Sequence, residues 1–172
     1  MKAMPTPQFS TRFRIAKKGL AGISFGNSLI KQVARDLTIE LPGIGSFVTL
    51  SPIPGFNRWL ESQGIEIAAG PKPTVRKLAA YYLTRIKNDA GHPLDPVARF
   101  HLSNGAHIHA IHADADLSDA GQAQSSGAMV NYAYELDKIT DNLRSFAAKG
   151  QVAASSAVRT LARQGAQIAA NK

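Results

Sequence analysis

The chain has 172 residues, of which 44% are hydrophobic, so it can bury one core of moderate size and is not expected to be disordered as a whole. Its formal net charge of +8 favours a polyanionic partner; because long basic runs are absent, a ligand with several phosphates is favoured over nucleic acid. Cysteine is absent, which excludes disulfides, thiolate metal sites and a cysteine nucleophile, and no apolar stretch is long enough to cross a membrane.

Patterns at the start of the chain predict a strand, a glycine-rich loop and a helix. Alternating apolar residues predict a strand over residues 9–15, and apolar residues at helical spacing predict a helix from Asn27. Between them, Gly19, Gly22 and Gly26 would let backbone N–H groups approach a phosphate closely. The spacing fits neither the dinucleotide fingerprint nor a Walker loop, so an anion-binding loop and an ordinary strand-to-helix turn both remain open.

Ser51 follows a predicted strand over residues 46–50 and precedes two turn-forming elements. Pro52 fixes its own φ and keeps Ser51 out of the helical region, and Pro54-Gly55 then turns the chain. This holds a hydroxyl on a stiff loop at the end of a buried strand, where α/β proteins often place catalytic groups. The alternative is a rigid connection in which Ser51 caps a helix or faces solvent.

Downstream, predicted helices and short strands alternate, which indicates an α/β fold with few strands. In chain order they are a helix over 56–63, a helix over 74–86 capped by Thr74, an irregular segment or short helix over 95–104, a strand over 106–112, a polar surface or active-site loop over 121–127, a strand over 129–134, a helix over 136–147 closed by Gly150, and a last helix from Ser155 or Ser156.

Three histidines lie close together in the strand predicted over residues 106–112. A His-x-His pair with nearby carboxylates is a pattern that can bind a metal ion. On a regular strand, His107 and His109 would share a face and His112 would point the other way. Their side chains would then not converge, so no metal site is expected.

His101 stands apart from these three, just before an Asn104-Gly105 turn. It could act as an acid or base near neutral pH, or be a hydrogen-bonded structural histidine. A pairing with Ser51 is a third arrangement, but the sequence shows no contact between the two. Because no Gly-x-Ser-x-Gly elbow is present, a covalent acyl-serine mechanism is not favoured.

Four blocks in the same order resemble the malonyl-CoA decarboxylase family. They are Gly19-Leu20-Ala21-Gly22-Ile23-Ser24-Phe25-Gly26-Asn27 with Leu29-Ile30-Lys31, the segment 47–56, Asp95-Pro96-Val97-Ala98-Arg99-Phe100-His101-Leu102 with Asn104-Gly105-Ala106, and Met129-Val130-Asn131-Tyr132. The resemblance implies that residues 9–172 are the C-terminal portion of a catalytic domain, after a disordered or basic segment 1–8. The implied fold is α/β and partly acetyltransferase-like (GNAT-type), with a mixed sheet flanked by helices and without the family's N-terminal strands.

The resemblance also implies an activity, namely decarboxylation of malonyl-CoA to acetyl-CoA and carbon dioxide without a metal or organic cofactor. The family's catalytic serine and histidine fall on Ser51 and His101, which would hold the carboxylate or enolate and supply the proton. The coenzyme A-binding residues fall on Ala21, Gly22, Ile23, Ser24, Phe25, Gly26 and Asn27, and the expected supporting residues are Asn104, Asn131 and Tyr132. Some members carry a glutamate where this chain has Ser24.

The resemblance leaves one alternative, a truncated and catalytically impaired paralogue that retains coenzyme A binding. Malonyl-CoA and acetyl-CoA are the expected partners, with neither nucleic acid nor a membrane. Absence of the family's N-terminal strands would leave an open sheet edge, which favours a homo-oligomer. A cytoplasmic location is expected rather than the mitochondrial matrix, although the basic N-terminus leaves a presequence open.

Overall fold

The computed structural model describes residues 46–67 and 72–171, together with Asp36, Ile39 and Glu40, which lie in a helix. The predicted strand over residues 9–15, the glycine loop and most of the helix predicted from Asn27 lie outside the described residues. The described elements are β1 (Ser46–Pro52), α1 (Phe56–Ser62), α2 (Lys72–Arg85), α3 (Pro96–Leu102), β2 (His107–His112), α4 (Asp119–Ser125), β3 (Met129–Glu135), α5 (Ile139–Lys149) and α6 (Ser156–Ala170). No helix in these parts of the chain is long and apolar enough to cross a membrane.

The described strands form an antiparallel sheet in the order β1–β3–β2, so β3 is central. Side chains alternate between the two faces of a strand, and directly paired residues share a face. Ser51 pairs with Val130 and Thr49 with Tyr132, while Tyr134 lies two residues further along β3. The Ser51 side chain and both tyrosines therefore lie on one face of the sheet, the inner face.

The outer face of β1 is apolar and exposed. Val48 is 51% exposed and Leu50 47% exposed, and β1 lies at one edge of the described sheet. Exposed apolar residues on an edge strand are a feature that promotes pairing with another chain. The self-association predicted from an open sheet edge concerns the strand over residues 9–15, which lies outside the described residues, and it stays a prediction.

Strand β2 contains a bulge at His109, where its register against β3 shifts. The extra residue reverses the alternation of side chains beyond it, so His112 lies on the same face as His107. The prediction that His112 points the other way was wrong for this reason. The Nε2 atom of His112 hydrogen-bonds Asn131 instead of approaching the other histidines. In the described ranges, no group of three or more histidine, aspartate or glutamate side chains is arranged to hold a metal ion.

Helices α2 and α6 pack closely against each other. Leu78 and Leu83 of α2 and Val158 of α6 are buried in the core. A Cβ atom at Gly165 of α6 would lie 2.7 Å from the carbonyl carbon of Lys77, so only glycine permits this approach. This helix pair supports the elements that carry the inner-face residues.

Helix α4 is the main difference from the elements expected. The small polar segment over residues 121–127 was predicted to be a loop, and that prediction was wrong for residues 121–125. The side chain of Ser118 caps the helix by accepting a hydrogen bond from the N–H of Gly121, and Asp119 places a carboxylate in the first turn. Ser126 and Gly127, both with positive φ, end it. Helix α2 also begins at Lys72, before the predicted cap Thr74.

Candidate active site

Ser51 and His101 meet on the inner face of the sheet. The Oγ atom of Ser51 lies 3.1 Å from Nε2 of His101, which is within hydrogen-bonding distance. Ser51 is 7% exposed and His101 is 4% exposed, so both polar groups are removed from bulk water. Fifty residues separate them in sequence, and the pairing of β1 with β3 and the packing of α3 bring them together.

Helix α3 places His101 in its last turn. Asp95 caps the helix by accepting a 2.9 Å hydrogen bond from the N–H of Ala98, and Pro96 occupies the first position, where its missing N–H is not needed. After the helix, Gly105 adopts a φ of +85°. A Cβ atom there would lie 2.7 Å from the carbonyl oxygen of Ile139, so glycine is required for the turn into β2.

Two tyrosines of β3 hold the imidazole of His101. The ring of Tyr132 stacks on it, with ring centroids 4.2 Å apart and an angle of 15° between the planes. The hydroxyl of Tyr134 lies 2.7 Å from Nδ1 of His101. Both ring nitrogens therefore have a hydrogen-bond partner, Ser51 at Nε2 and Tyr134 at Nδ1, and the ring plane is fixed by the stack.

Burial keeps the side chains of His101 and Tyr134 electrically neutral. It lowers the pKa of His101 to about 4, so the imidazole carries no charge at pH 7. Burial also raises the pKa of Tyr134, which keeps its proton. A neutral imidazole donates from one nitrogen and accepts at the other. Either Tyr134 donates to Nδ1 and Nε2 donates to Ser51, or Ser51 donates to Nε2 and Nδ1 donates to Tyr134.

The expected supporting residues take different places. Tyr132 lies against His101. Asn104 is fully buried just beyond α3, where its Nδ2 donates a 2.6 Å hydrogen bond to the carbonyl of Phe100. Asn131 lies on the opposite face of β3 because side chains alternate, and its Nδ2 donates to the carbonyl of Thr49, so it lies away from the imidazole of His101.

Some residues of the expected site lie outside the described residues, and others were missed from the sequence. The residues expected to bind coenzyme A, Ala21, Gly22, Ile23, Ser24, Phe25, Gly26 and Asn27, belong to the first group. Tyr134 and Asp95 belong to the second. The i, i+2 spacing of Tyr132 and Tyr134 on a predicted strand was the signal that could have found Tyr134, because it places both rings on one face. Taken together, the described elements are those of an α/β protein with a buried, neutral serine–histidine pair.

Comparisons with known proteins show the family to which this chain belongs. The profile of the malonyl-CoA decarboxylase C-terminal domain matches residues 9–71 and 63–172. The mitochondrial malonyl-CoA decarboxylase of Anser anser anser is 33% identical over 87% of this chain and 38% of its own length. That of Mus musculus is 31% identical over 95% of this chain and 44% of its own. The chain therefore belongs to the malonyl-CoA decarboxylase family.

A solved structure of a protein from the same family has a similar fold. The crystal structure of malonyl-CoA decarboxylase from Rhodopseudomonas palustris is 44% identical, with a TM-score of 0.75, and the match covers 83% of this chain and 39% of that one. The α/β fold class expected from the sequence is confirmed by this likeness. The chain spans about two fifths of the length of the curated relatives it matches.

Proposed function

We propose that this protein decarboxylates malonyl-CoA to acetyl-CoA and carbon dioxide, and that Ser51 and His101 are its catalytic residues. The observation that carries the proposal is the 3.1 Å approach of Ser51 Oγ to His101 Nε2 in a nearly buried setting. The family membership supports the reaction class. The alternative of an impaired paralogue is not favoured by these matches.

The proposed reaction makes two demands on the protein. The bond between the α-carbon and the carboxylate breaks, carbon dioxide leaves, and the electron pair moves into the thioester to give an enolate. A proton then bonds to the α-carbon and gives acetyl-CoA. The site must therefore stabilise negative charge near the thioester oxygen and supply one proton.

Ser51 meets the first demand by hydrogen bonding. Its hydroxyl is held at the end of β1, where Pro52 restricts the backbone, and it can donate to the substrate carboxylate or to the enolate oxygen. The local burial strengthens such a hydrogen bond, because less water competes for the charge.

His101 meets the second demand. When Tyr134 donates to Nδ1, Nε2 carries the proton and faces Ser51. His101 then supplies the Nε2 proton to the enolate carbon, directly or through the Ser51 hydroxyl, while Tyr134 keeps its own proton and its hydrogen bond to Nδ1. A proton from solvent returns to Nε2 after carbon dioxide and acetyl-CoA leave, which restores the starting tautomer and balances the one proton that the reaction consumes. Every proton moved is accounted for, and the sequence of transfers needs no oxidant or reductant.

The substrate's phosphates would bind elsewhere on the chain. We assign this role to the backbone N–H groups of the segment from Ala21 to Asn27, which the family resemblance marks as the coenzyme A-binding loop. The net charge of +8 favours the same polyanionic ligand.

The test is direct incubation of the full chain with malonyl-CoA, with acetyl-CoA and carbon dioxide quantified together. We expect equal amounts of both products, and no effect of a metal chelator. Ser51→Ala should abolish most of the turnover, whereas Ser46→Ala, an exposed serine of the same strand, should not. Failure of a folded protein that binds coenzyme A to form acetyl-CoA would overturn the proposal.

A further inference from the structure

A second hydroxyl group lies beside the Ser51–His101 pair. Thr49 precedes Ser51 by two residues on β1, and these two residues pair with Tyr132 and Val130 of β3. Their side chains therefore share the inner face of the sheet, and Oγ1 of Thr49 lies 3.3 Å from Oγ of Ser51. The reaction steps described above give Thr49 no part.

The Thr49 hydroxyl is available to a ligand. Its contact with Ser51 is weak, because 3.3 Å is longer than the usual O–H···O hydrogen bond of about 2.8 Å. Within the described ranges, Oγ1 of Thr49 has no other hydrogen-bond partner. Thr49 is half-buried, whereas Ser51 is 7% exposed and His101 is 4% exposed. Of these three side chains, Thr49 is therefore the most accessible to a ligand that enters from solvent.

The position of Thr49 is fixed by more than strand pairing. Its carbonyl oxygen accepts a 2.9 Å hydrogen bond from Nδ2 of Asn131 on the central strand. The other end of that amide, Oδ1, accepts a hydrogen bond from Nε2 of His112. Threonine is branched at Cβ, so few rotamers are open to its side chain. The hydroxyl is thus held in place before a ligand binds.

The substrate of the proposed reaction presents two oxygen acceptors. One is the thioester oxygen, which becomes the enolate oxygen, and the other is the carboxylate, which leaves as carbon dioxide. Both groups are bonded to the same methylene carbon, so their oxygens lie close together. Two hydroxyl groups 3.3 Å apart on one face of the sheet can donate to one acceptor each.

The surroundings of the two hydroxyls assign one acceptor to each. Negative charge develops on the thioester oxygen in the transition state, and a donor to it is most effective where water is excluded. Ser51 is buried and contacts His101, the proposed proton donor. The carboxylate is charged before the reaction starts, so it costs less to hold it at the accessible side of the site. Thr49 lies on that side.

We infer that Thr49 binds the carboxylate of malonyl-CoA and so distinguishes this substrate from acetyl-CoA, while Ser51 donates to the thioester oxygen. The inference rests on the proposed function, because it divides the two acceptors of that substrate between two hydroxyls. The carboxylate loses its charge as carbon dioxide forms, so a hydrogen bond to it strengthens binding without raising the rate. Thr49 should therefore act on KM and Ser51 on kcat.

Steady-state kinetics of the full chain separate the two roles. Thr49→Val keeps the shape of the side chain and removes the hydroxyl. We expect its KM for malonyl-CoA to rise about tenfold, the usual effect of losing a hydrogen bond to a charged group, with kcat within about twofold. Thr49→Ser keeps a hydroxyl and should restore KM to near the wild-type value. An unchanged KM in Thr49→Val would reduce Thr49 to a strand residue and overturn the inference.

Thr84→Val is the matched control. Thr84 is also half-buried, and its hydroxyl donates a 2.7 Å hydrogen bond to the carbonyl of Ala80 within α2, away from the site. The same substitution there should leave KM and kcat unchanged. A rise in KM equal to that of Thr49→Val would show a general effect of replacing threonine and would also contradict the inference.

A binding measurement tests the inference without turnover. Calorimetric titrations of His101→Asn with malonyl-CoA and with acetyl-CoA compare two ligands that differ in the carboxylate. We expect malonyl-CoA to bind more tightly, and Thr49→Val in the same background to remove most of this preference while leaving the affinity for acetyl-CoA unchanged. No preference with threonine present, or the same preference with valine, would overturn the inference. If the wild type formed no acetyl-CoA, the proposed reaction would fail, and these titrations would still decide whether Thr49 recognises the carboxylate.

Discussion

The imidazole of His101 lies nearly flat on the ring of Tyr132, with 4.2 Å between ring centroids and 15° between ring planes. Its two nitrogens are held by Ser51 and Tyr134. The stack fixes the plane of the imidazole and the two hydrogen bonds fix its rotation within that plane. The pair is thus arranged before any substrate arrives, which is a condition for efficient proton transfer.

The hydroxyl of Tyr134 is expected to matter for turnover. Tyr134→Phe removes the partner of Nδ1 and leaves the tautomer of His101 unfixed, so kcat should fall about tenfold with little change in KM. Steady-state kinetics with malonyl-CoA measure this. Tyr81→Phe, at a partly buried tyrosine that packs on Trp59, is the matched control and should behave as the wild type. An unchanged kcat in Tyr134→Phe would exclude a role for this hydroxyl.

Stability should fall in acid because of His101. A histidine in the unfolded chain has a pKa near 6.5, whereas burial lowers the pKa of His101 to about 4. Between these two pKa values the histidine binds more protons in the unfolded state than in the folded state. The contribution of His101 to the free energy of unfolding is therefore complete above pH 6.5 and is lost as the pH falls through 4. The difference amounts to about 3 kcal/mol in the free energy of unfolding.

Urea unfolding at pH 7 and near pH 4.5 tests this contribution. The free energy of unfolding of His101→Asn should depend less on pH than that of the wild type, and His109→Asn, at an exposed histidine, is the control. Asp95 has a raised pKa and so acts in the opposite direction, which is why variants are compared with each other. Parallel curves for the wild type and His101→Asn would be inconsistent with a buried neutral imidazole.

The cost of Gly55→Ala in the free energy of unfolding should depend on the Tyr82 hydroxyl. The backbone of Gly55 has a negative φ that alanine can adopt, so the cost of Gly55→Ala comes from the collision of its Cβ with the Tyr82 hydroxyl. We expect a loss of about 2 kcal/mol in the free energy of unfolding, as for other overpacked sites. In a Tyr82→Phe background the same substitution should cost less than about half as much. If Gly55→Ala lowers the free energy of unfolding equally in both backgrounds, its Cβ does not collide with the Tyr82 hydroxyl.

The predicted coenzyme A-binding segment is open to a binding test. Gly26→Trp should weaken the affinity for coenzyme A by at least about tenfold, because a large side chain would keep the phosphates from the backbone N–H groups. Calorimetric titration with coenzyme A measures this. Ser51→Ala is the control and should keep its affinity while losing turnover. Wild-type affinity in Gly26→Trp would argue against this segment.

The sequence predicted most described elements because their signals are local. Hydrophobic spacing located α5 and α6, and Ser155 and Gly150 marked an end of each, as the structure shows. Helix α4 was missed because its small polar residues carry no apolar stripe, and its cap, Ser118, lies before a segment typical of loops. The face of His112 was wrong because a single-residue bulge leaves no mark in the spacing of a strand.

The candidate site could not be predicted from local sequence patterns. Nothing in the local pattern joins Ser51 to His101, since their contact depends on strand register and helix packing, and only the family resemblance put the two residues together. The burial of Asp95 could not be predicted, because burial of a capping carboxylate is a property of the packed structure.

The most direct measurement is a double-mutant cycle on the proposed catalytic pair, with acetyl-CoA formation from malonyl-CoA followed for the wild type, Ser51→Ala, His101→Asn and the double variant. Residues that act as a unit lose nearly all activity when either one is removed, so the double variant should be no slower than the slower single variant. Losses in the two single variants that simply multiply, or wild-type turnover in either of them, would contradict the account.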